Sequence, residues 1–287
     1  MDRGVWRLVA EGLRRVPRRS PARARYSNRD VLAVLLWAAL RDRPISWACR
    51  RSSWPMQAWR RRLPDQSTMS RRLREPELGD DLHALLAWLQ RHKDQARTLI
   101  VDGKALPVRE HSTDPDAATG WASGRYAPGY KLHALIDAAH RLVGFAVEPM
   151  NQGESVVARG LVERLTPGRR TTLLGDSAYD SNPLHAACAD RGVRLLAPRR
   201  RPGTGVSKGH RQHRARLSAI DAIEGDRPPR ALARRRTIER FFARLAIAGG
   251  LFALPPWVRR LRRVRLWVAA KLVLNDARIE LAARVGA

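Results

Sequence analysis

The first third of the chain has its apolar residues at the spacing of helices. One apolar run, Val31–Leu40, follows Ser27 and Asn28, and either of these side chains suits the N-cap of a helix. A later stretch, Asp80–His92, repeats leucine at intervals of three or four residues, which places the leucines on one helix face. This pattern predicts a helical domain over residues 1–95.

The pattern changes near residue 97, where apolar runs of strand length replace the helical spacing. The runs Thr98–Val101, Tyr130–Ile136 and Leu142–Val147 predict three strands, the last two joined as a hairpin. The elements predicted after them are a helix over 154–165, a strand from 171, a helix over 182–191, a strand over 193–197 and a helix that contains Glu239. Early antiparallel strands followed by alternating helices and strands indicate an α/β fold, a mixed sheet flanked by helices.

One segment of this second domain, about 198–232, is rich in Arg, Pro and Gly and has little apolar periodicity. We therefore expect a mobile basic loop inserted into the domain. The domain is predicted to cover residues 96–280 and to include a last Arg-rich helix that begins near Val258.

Three carboxylates stand out against this pattern. Asp102 ends the first strand run, Asp176 ends the run that begins at Thr171, and Glu239 lies on the later helix. A carboxylate beside a buried strand is costly unless it is paired or holds a cation. Because hard oxygen ligands suit Mg²⁺ or Mn²⁺, the three residues are candidate metal ligands.

Each of these acids also has a simpler explanation. Asp102 precedes Gly103, so it could close a strand with a turn. Asp176 could cap the turn that follows it. Glu239 could form a surface ion pair with Arg235, four residues earlier on the same helix.

The charge of the chain points to a polyanionic partner. Lys and Arg number 55 against 27 acidic residues, which gives a net charge of +28 over 287 residues. Such an excess of positive charge favours nucleic acid binding. The two cysteines are too few for a disulfide framework, and no apolar run is long enough to cross a bilayer. We expect a cytoplasmic, nucleoid-associated protein with no membrane partner.

Several cations are candidates for contacts with DNA phosphate. Lys104 and Lys131 lie near the predicted acids along the sheet. Arg71 and Arg72 lie on a short helix predicted after Ser67, where they could equally form a solvated basic face.

Four segments resemble the DDE transposases of bacterial insertion sequences, which have a ribonuclease H-like catalytic fold. The segments are Val101–Lys104, Gly129–His133, Leu174–Asp180 and Thr237–Phe242. The resemblance implies that Asp102, Asp176 and Glu239 form a catalytic triad that binds two Mg²⁺ or Mn²⁺ ions per active site. It also implies that the helical domain binds transposon ends or helps to dimerise.

The surroundings of the third acid depart from the pattern of many relatives. Arg235 occupies the expected Arg position, but Leu232 stands in place of a Tyr and Ala246 in place of a Lys. Both missing residues are associated with transposon-end phosphates. The neighbouring Arg236 and Arg240 could supply replacement charge.

These observations predict an insertion-sequence transposase that binds the inverted-repeat ends of its element, cleaves there and joins the ends to target DNA. Its partner is double-stranded DNA, and synapsis of two ends predicts a homodimer. Two alternatives stay open. One is an inactive relic that only binds DNA, and the other is a ribonuclease H-like nuclease that cuts without strand transfer.

Overall fold

The chain folds into two compact units, each described here by itself. The computed structural model describes residues 2–17, 20–22, 24–55, 62–91, 97–122, 124–166, 170–204, 206 and 209–285. The first unit consists of Met1–Lys93, His111–Asp116 and Arg244–Ala287, and the second of Asp94–Glu110 and Ala117–Ala243.

The first unit is helical, as its apolar spacing predicts. Its helices are α1 (Asp2–Arg15), α2 (Asn28–Leu40), α3 (Ile45–Ala48), α4 (Gln66–Arg72), α5 (Glu77–Leu89) and α10 (Leu261–Val285). Ser27 is the N-cap of α2, and its side chain and that of Asp30 form a capping box. Nearly every residue of α2 is buried, which explains its uninterrupted apolar run.

Three details of this unit differ from the sequence-based expectations. The N-cap of α4 is Asp65 rather than Ser67, because the Asp65 carboxylate accepts a hydrogen bond from the backbone of Thr68 at 2.6 Å. Helix α5 ends at Leu89, and the predicted end at His92 lies outside the described residues. Helix α10 packs on α1, α2 and α5 in the helical unit, whereas the prediction placed it in the catalytic domain.

The length of α10 explains this placement. Its buried residues occur nearly all around the helix between Val264 and Ala277, so it needs helices on several sides. Even its Lys271 is buried, where its ammonium pairs with Asp42 at 2.6 Å. No helix of the described residues is long and apolar enough to cross a membrane.

The second unit contains the mixed sheet that the strand pattern predicts. Its strands are β1 (Thr98–Pro107), β2 (Ala118–Ala122), β3 (Arg125–Asp137), β4 (Leu142–Pro149), β5 (Thr171–Leu174) and β6 (Val193–Leu196). The sheet order is β2-β3-β1-β5-β6, with β4 paired to β3. Strand β1 is antiparallel to β3 and parallel to β5, so it joins the antiparallel and parallel halves.

Helices cover this sheet. They are α6 (Glu154–Glu163), α7 (Asn182–Asp190) and α8 (Arg214–Glu224). A further helix, α9 (Thr237–Ile247), runs from the second unit into the first. Leu99, Val101 and Leu135 point to one sheet face and pack with Leu161 of α6 and Leu184 of α7. This packing fixes β1, which contains Asp102, and the end of β5, just beyond which Asp176 lies.

The expectation of a mobile loop over 198–232 is wrong for its central part, where α8 forms. The spacing of apolar residues does not predict this helix, because polar contacts help to hold it in place. The Arg216 guanidinium binds the Asp180 carboxylate through two hydrogen bonds of 2.7 and 2.6 Å. At the other end of α8, Glu224 accepts hydrogen bonds from Arg199. His213 is the N-cap of α8.

Candidate active site

The two aspartates of the candidate site lie at the same level of neighbouring strands. The parallel register pairs Ile100 of β1 with Leu174 of β5. Asp102 and Asp176 each follow two residues later, and Asp176 keeps an extended backbone with φ −83° and ψ −172°. Since alternate residues of a strand share one face and adjacent strands lie about 4.8 Å apart, the two carboxylates are neighbours.

Asp102 does not close the strand, so its interpretation as a turn residue is wrong. Strand β1 continues to Pro107, and Asp102 pairs in register with Ala134 of β3. The prediction ended the strand at Val101 because the apolar run stops there. Continued pairing with β3 carries the strand further, after its parallel partner β5 has ended.

The environment of Asp102 disfavours its charge. Burial, above all, raises the pKa of its carboxyl to about 6, and the negative charges of Asp176 and Glu154 add to this. The Gly103 backbone N–H, which donates to the Asp102 carboxylate at 2.7 Å, and the Arg235 guanidinium act in the opposite direction. A carboxylate under this electrostatic pressure gains from a bound cation, as a metal ligand does.

Asp176 is the cap that the sequence left as an alternative to a metal ligand. Its carboxylate accepts a hydrogen bond from the backbone N–H of Ala178 at 2.8 Å, and so caps the 3₁₀ turn Ser177–Tyr179. The cap uses the carboxylate oxygen Oδ1. Capping and metal binding are therefore compatible at this residue.

Two glycines in the segments that carry the resemblance make room for neighbouring side chains. A Cβ at Gly175 would lie 2.8 Å from the Cβ of Tyr179, so the Tyr179 ring folds back closely on the end of β5. A Cβ at Gly103 would lie 2.9 Å from Cδ of Lys131 and 3.2 Å from Oε1 of Glu154. Both close approaches gather side chains beside the two aspartates.

Glu154 and Tyr179 are site residues that the sequence analysis missed. Glu154 is the first residue of α6, and its carboxylate pairs with the Lys131 ammonium at 2.7 Å. Burial and the charges of Glu154, Asp102 and Asp176 raise the pKa of Tyr179 well above its usual value. An acid at the start of the helix after the hairpin, and a Tyr three residues after Asp176, were the available sequence clues.

The Tyr179 hydroxyl is a buried donor without an acceptor. The residue is fully buried, and its oxygen has no hydrogen-bond partner. Leaving such a group unsatisfied costs about 1–3 kcal/mol. Any state of the site that brings an acceptor to this hydroxyl is therefore stabilised.

Glu239 stands apart from the two aspartates. Its side chain is 59% exposed and its carboxylate lies 3.4 Å from the Arg235 guanidinium, as the ion-pair alternative predicts. Among the residues that the structure describes, no three His, Cys, Asp or Glu side chains are grouped closely enough to hold a metal ion. The structure thus brings two of the three predicted ligands together, with Arg235 within electrostatic reach of both Asp102 and Glu239.

The predicted DNA-binding cations fall into different environments. Arg71, Arg236 and Arg240 are exposed, and Lys104 and Lys131 are partly buried in the sheet unit. Arg72 requires a correction, because it is buried. Its guanidinium donates to the Tyr26 carbonyl, to Asn28 at 2.6 Å and to Glu75 at 2.8 Å, so each of its three nitrogens has a partner within the protein. Arg72 serves the packing of the helical unit.

The Gly175 contact predicts a selective effect of a single methyl group. We expect Gly175→Ala to lower the free energy of unfolding by about 1–3 kcal/mol, because the new Cβ displaces Tyr179 from a packed position. Gly160→Ala is the matched control. Gly160 lies in α6 with open space around it, so Ala there should raise stability by about 0.5–1 kcal/mol. Chemical denaturation monitored by circular dichroism compares the two, and equal effects would contradict the close approach.

Comparisons with known proteins agree with this architecture. Residues 93–273 match the family model described as the transposase DDE domain. The cryo-EM structure of the piggyBac transposase synaptic complex with hairpin DNA is similar in fold, with a TM-score of 0.53 and 12% identity over 99% of this chain and 73% of that chain. A Mos1 transposase paired-end complex with the left transposon end aligns at 13% identity over 93% of this chain and 81% of that chain, with a TM-score of 0.25.

No curated protein sequence matches the chain. The family match nevertheless covers more than half of the 287 residues and includes Asp102, Asp176 and Glu239. The mixed sheet with its flanking helices is the predicted ribonuclease H-like fold. The chain therefore belongs to the transposase DDE domain family, whose members cleave DNA and transfer its strands.

Proposed function

We propose that the chain is an insertion-sequence transposase that binds the inverted-repeat ends of its element and performs metal-dependent cleavage and strand transfer. The observation that carries this proposal is the position of Asp102 and Asp176, each two residues beyond the register pair Ile100–Leu174 of β1 and β5, with Asp102 largely buried. Two neighbouring carboxylates beside a buried strand repel each other, and a divalent cation relieves that repulsion.

The oxygen donors present fit Mg²⁺ or Mn²⁺. Mg²⁺ commonly uses one or two carboxylates and completes its coordination with water and substrate phosphate oxygens, so Asp102 and Asp176 are sufficient to begin a site. When bound, the ions would neutralise charge on the phosphoryl oxygens and activate the attacking oxygen. We propose two ions per site, with Glu239 as the third ligand.

Glu239 reaches this role only if Arg235 releases it. Their ion pair is weak, because Glu239 is 59% exposed and such pairs contribute about 0–1 kcal/mol. DNA phosphate offers Arg235 a bidentate partner of the kind that guanidinium groups favour. We propose that DNA draws Arg235 to a phosphate and frees Glu239 to join the aspartates, so that the site is completed by its substrate.

The cationic surface supplies the rest of the substrate contacts. Exposed Arg236, just before α9, and exposed Arg240 of α9 lie on either side of Glu239 in the chain, and Lys104 lies two residues after Asp102 on β1. We propose that these residues hold DNA backbone near the acids, while Arg71 and the helical unit contact the transposon ends. Synapsis of two ends makes a homodimer the working form, acting at the nucleoid.

A plasmid that carries the inverted repeats of the element, incubated with protein and MgCl₂, tests the proposal. We expect excision and joining to a target plasmid, both abolished by EDTA. Cleavage without joined products would favour the nuclease, and end binding without cleavage would favour the inactive relic. The departures at Leu232 and Ala246 make the relic worth testing directly.

Displacement of Arg235 gives a separate prediction. We expect Arg235→Ala to weaken DNA binding and to reduce the slope of log affinity against log salt by about 0.9, the value for one lost phosphate contact. Arg194, an exposed residue of β6, provides the matched control as Arg194→Ala, with no expected change in slope. A slope that Arg235→Ala leaves unchanged would contradict a phosphate contact by this residue.

A further inference from the structure

The Lys131–Glu154 pair lies beside the aspartates without a role in the proposed chemistry. Lys131 of β3 and Glu154 of α6 form an ion pair of 2.7 Å that is only 13% and 20% exposed at the two side chains. Gly103, the residue after Asp102, leaves the space in which the pair lies. The Lys131 ammonium is thus occupied by an internal partner in the DNA-free protein.

The negative charge of Glu154 also lies within electrostatic reach of another acid. Its charge acts on Asp102 in the same direction as that of Asp176, so three negative side chains share one end of the sheet. Lys131 offsets that charge while it stays with Glu154. If Lys131 turned to a DNA phosphate, Glu154 would lose its partner beside two other acids, unless a second donor took its place.

The second donor is the Tyr179 hydroxyl. It is buried, it has no acceptor in the DNA-free protein, and its 3₁₀ turn packs against α6, the helix that begins at Glu154. The ring is held firmly, because Gly175 allows it to pack against the end of β5. A fixed, unsatisfied hydroxyl within electrostatic reach of a carboxylate is ready to donate when that carboxylate becomes free.

We propose that Lys131 is a reserve contact, a phosphate contact that forms only when DNA binds. In the free protein Glu154 binds Lys131. DNA draws Lys131 to a backbone phosphate, and the Tyr179 hydroxyl then donates a hydrogen bond to Glu154. The inference rests on the proposed DNA substrate. It makes Glu154 and Tyr179 positioning residues, because both act through Lys131. It also explains why a buried hydroxyl is left without a partner in the free protein.

Binding without metal tests this exchange, because cleavage then cannot interfere. The probe is a fluorescein-labelled synthetic DNA duplex, followed by anisotropy in EDTA over a range of salt concentrations. We expect Lys131→Ala to weaken binding and to reduce the salt slope by about 0.9, as for one lost phosphate contact. Glu154→Gln should instead tighten binding by about fivefold, since Lys131 then leaves a neutral partner.

Tyr179→Phe should weaken binding by about tenfold and leave the salt slope unchanged, because the bound state loses only the donor to Glu154. In a Glu154→Gln background the same change should weaken binding by about twofold or less, since the carboxylate is gone.

Urea denaturation separates this role of Tyr179 from a structural one. Tyr179→Phe should not lower the stability of the free protein, whereas Tyr26→Phe should lower it by removing the hydrogen bond to the Leu63 carbonyl.

Three outcomes would overturn the inference: weaker or unchanged binding by Glu154→Gln, an equal Tyr179→Phe effect in both backgrounds, or a loss of free-state stability in Tyr179→Phe. These outcomes are distinct from failure of the proposed function. A wild-type protein that shows the expected binding pattern but never cuts in Mg²⁺ would remove only the catalytic proposal. A protein that cuts but lacks the pattern would remove only the reserve contact.

Discussion

Replacing Asp102 by Asn is expected to abolish Mg²⁺-dependent cleavage and strand transfer while DNA binding is retained. Asn has the shape of Asp but no charge, so the neighbouring Asp176 alone would face a cation. Loss of an essential metal ligand removes at least about three orders of magnitude in rate, a barrier increase of roughly 4 kcal/mol. The measurement is single-turnover cleavage of a labelled end substrate, with anisotropy of the same substrate in EDTA for binding.

The same substitution should stabilise the metal-free protein. The pKa of Asp102 is raised from 3.8 to about 6, so the folded protein holds a proton there that the unfolded chain releases between those pH values. The free energy of unfolding therefore falls as the pH rises through this window. Asp102→Asn escapes the penalty and should gain about 3 kcal/mol at pH 7, and almost nothing below pH 4.

Asp190→Asn provides the matched control, because Asp190 is exposed at the end of α7. It should change neither cleavage nor stability appreciably. Full cleavage by Asp102→Asn would remove this residue from the active site. A loss of stability in Asp102→Asn would show that the Asp102 carboxylate is stabilised by a partner and not destabilised by burial.

Replacing Arg216 by Met is expected to have the largest effect on stability. Asp180 is 4% exposed, and the variant leaves its carboxylate buried with only His185 at 3.5 Å as a partner. Breaking a buried ion pair on one side costs about 3–5 kcal/mol. Because Asp180 follows Asp176 by four residues, cleavage should decrease as well. Urea denaturation and the cleavage assay measure the two effects.

The pH dependence of the wild-type protein offers an independent check on this pair. Burial opposes the ionisation of Asp180, but hydrogen bonds from Arg216 and His185 outweigh it and lower the pKa to about 2. The stabilisation is therefore present above about pH 4 and is lost as the pH falls toward 2. Arg216→Met should lose this acid-sensitive component.

Arg214→Met is the control for Arg216→Met, because Arg214 is exposed on the same helix. Its effect on the free energy of unfolding should stay within about 0.5 kcal/mol. Equal effects of the two substitutions would mean that the Arg216–Asp180 contact does not hold α8.

The contrast between α2 and α8 shows where sequence reasoning succeeds and where it stops. Helix α2 was predicted because its cap and its apolar run are local features that one window of sequence contains. Helix α8 was missed because its fixed contacts are with Asp180 and Arg199, both distant in sequence. Arg72 was misassigned for the same reason, since its acceptors Tyr26 and Asn28 lie more than forty residues away.

By itself, the sequence determined the helical first region, the alternation that makes a mixed sheet, the cationic balance and the strand run that leads to each aspartate. These properties follow from local periodicity and composition, which folding does not alter. Only the tertiary structure decided that Asp102 and Asp176 become neighbours, that Glu239 is held by Arg235, and that Glu154 and Tyr179 belong to the site. The physical reason is that strand register, burial and the pairing of hydrogen-bond donors depend on contacts between distant segments. These contacts exist only in the folded chain.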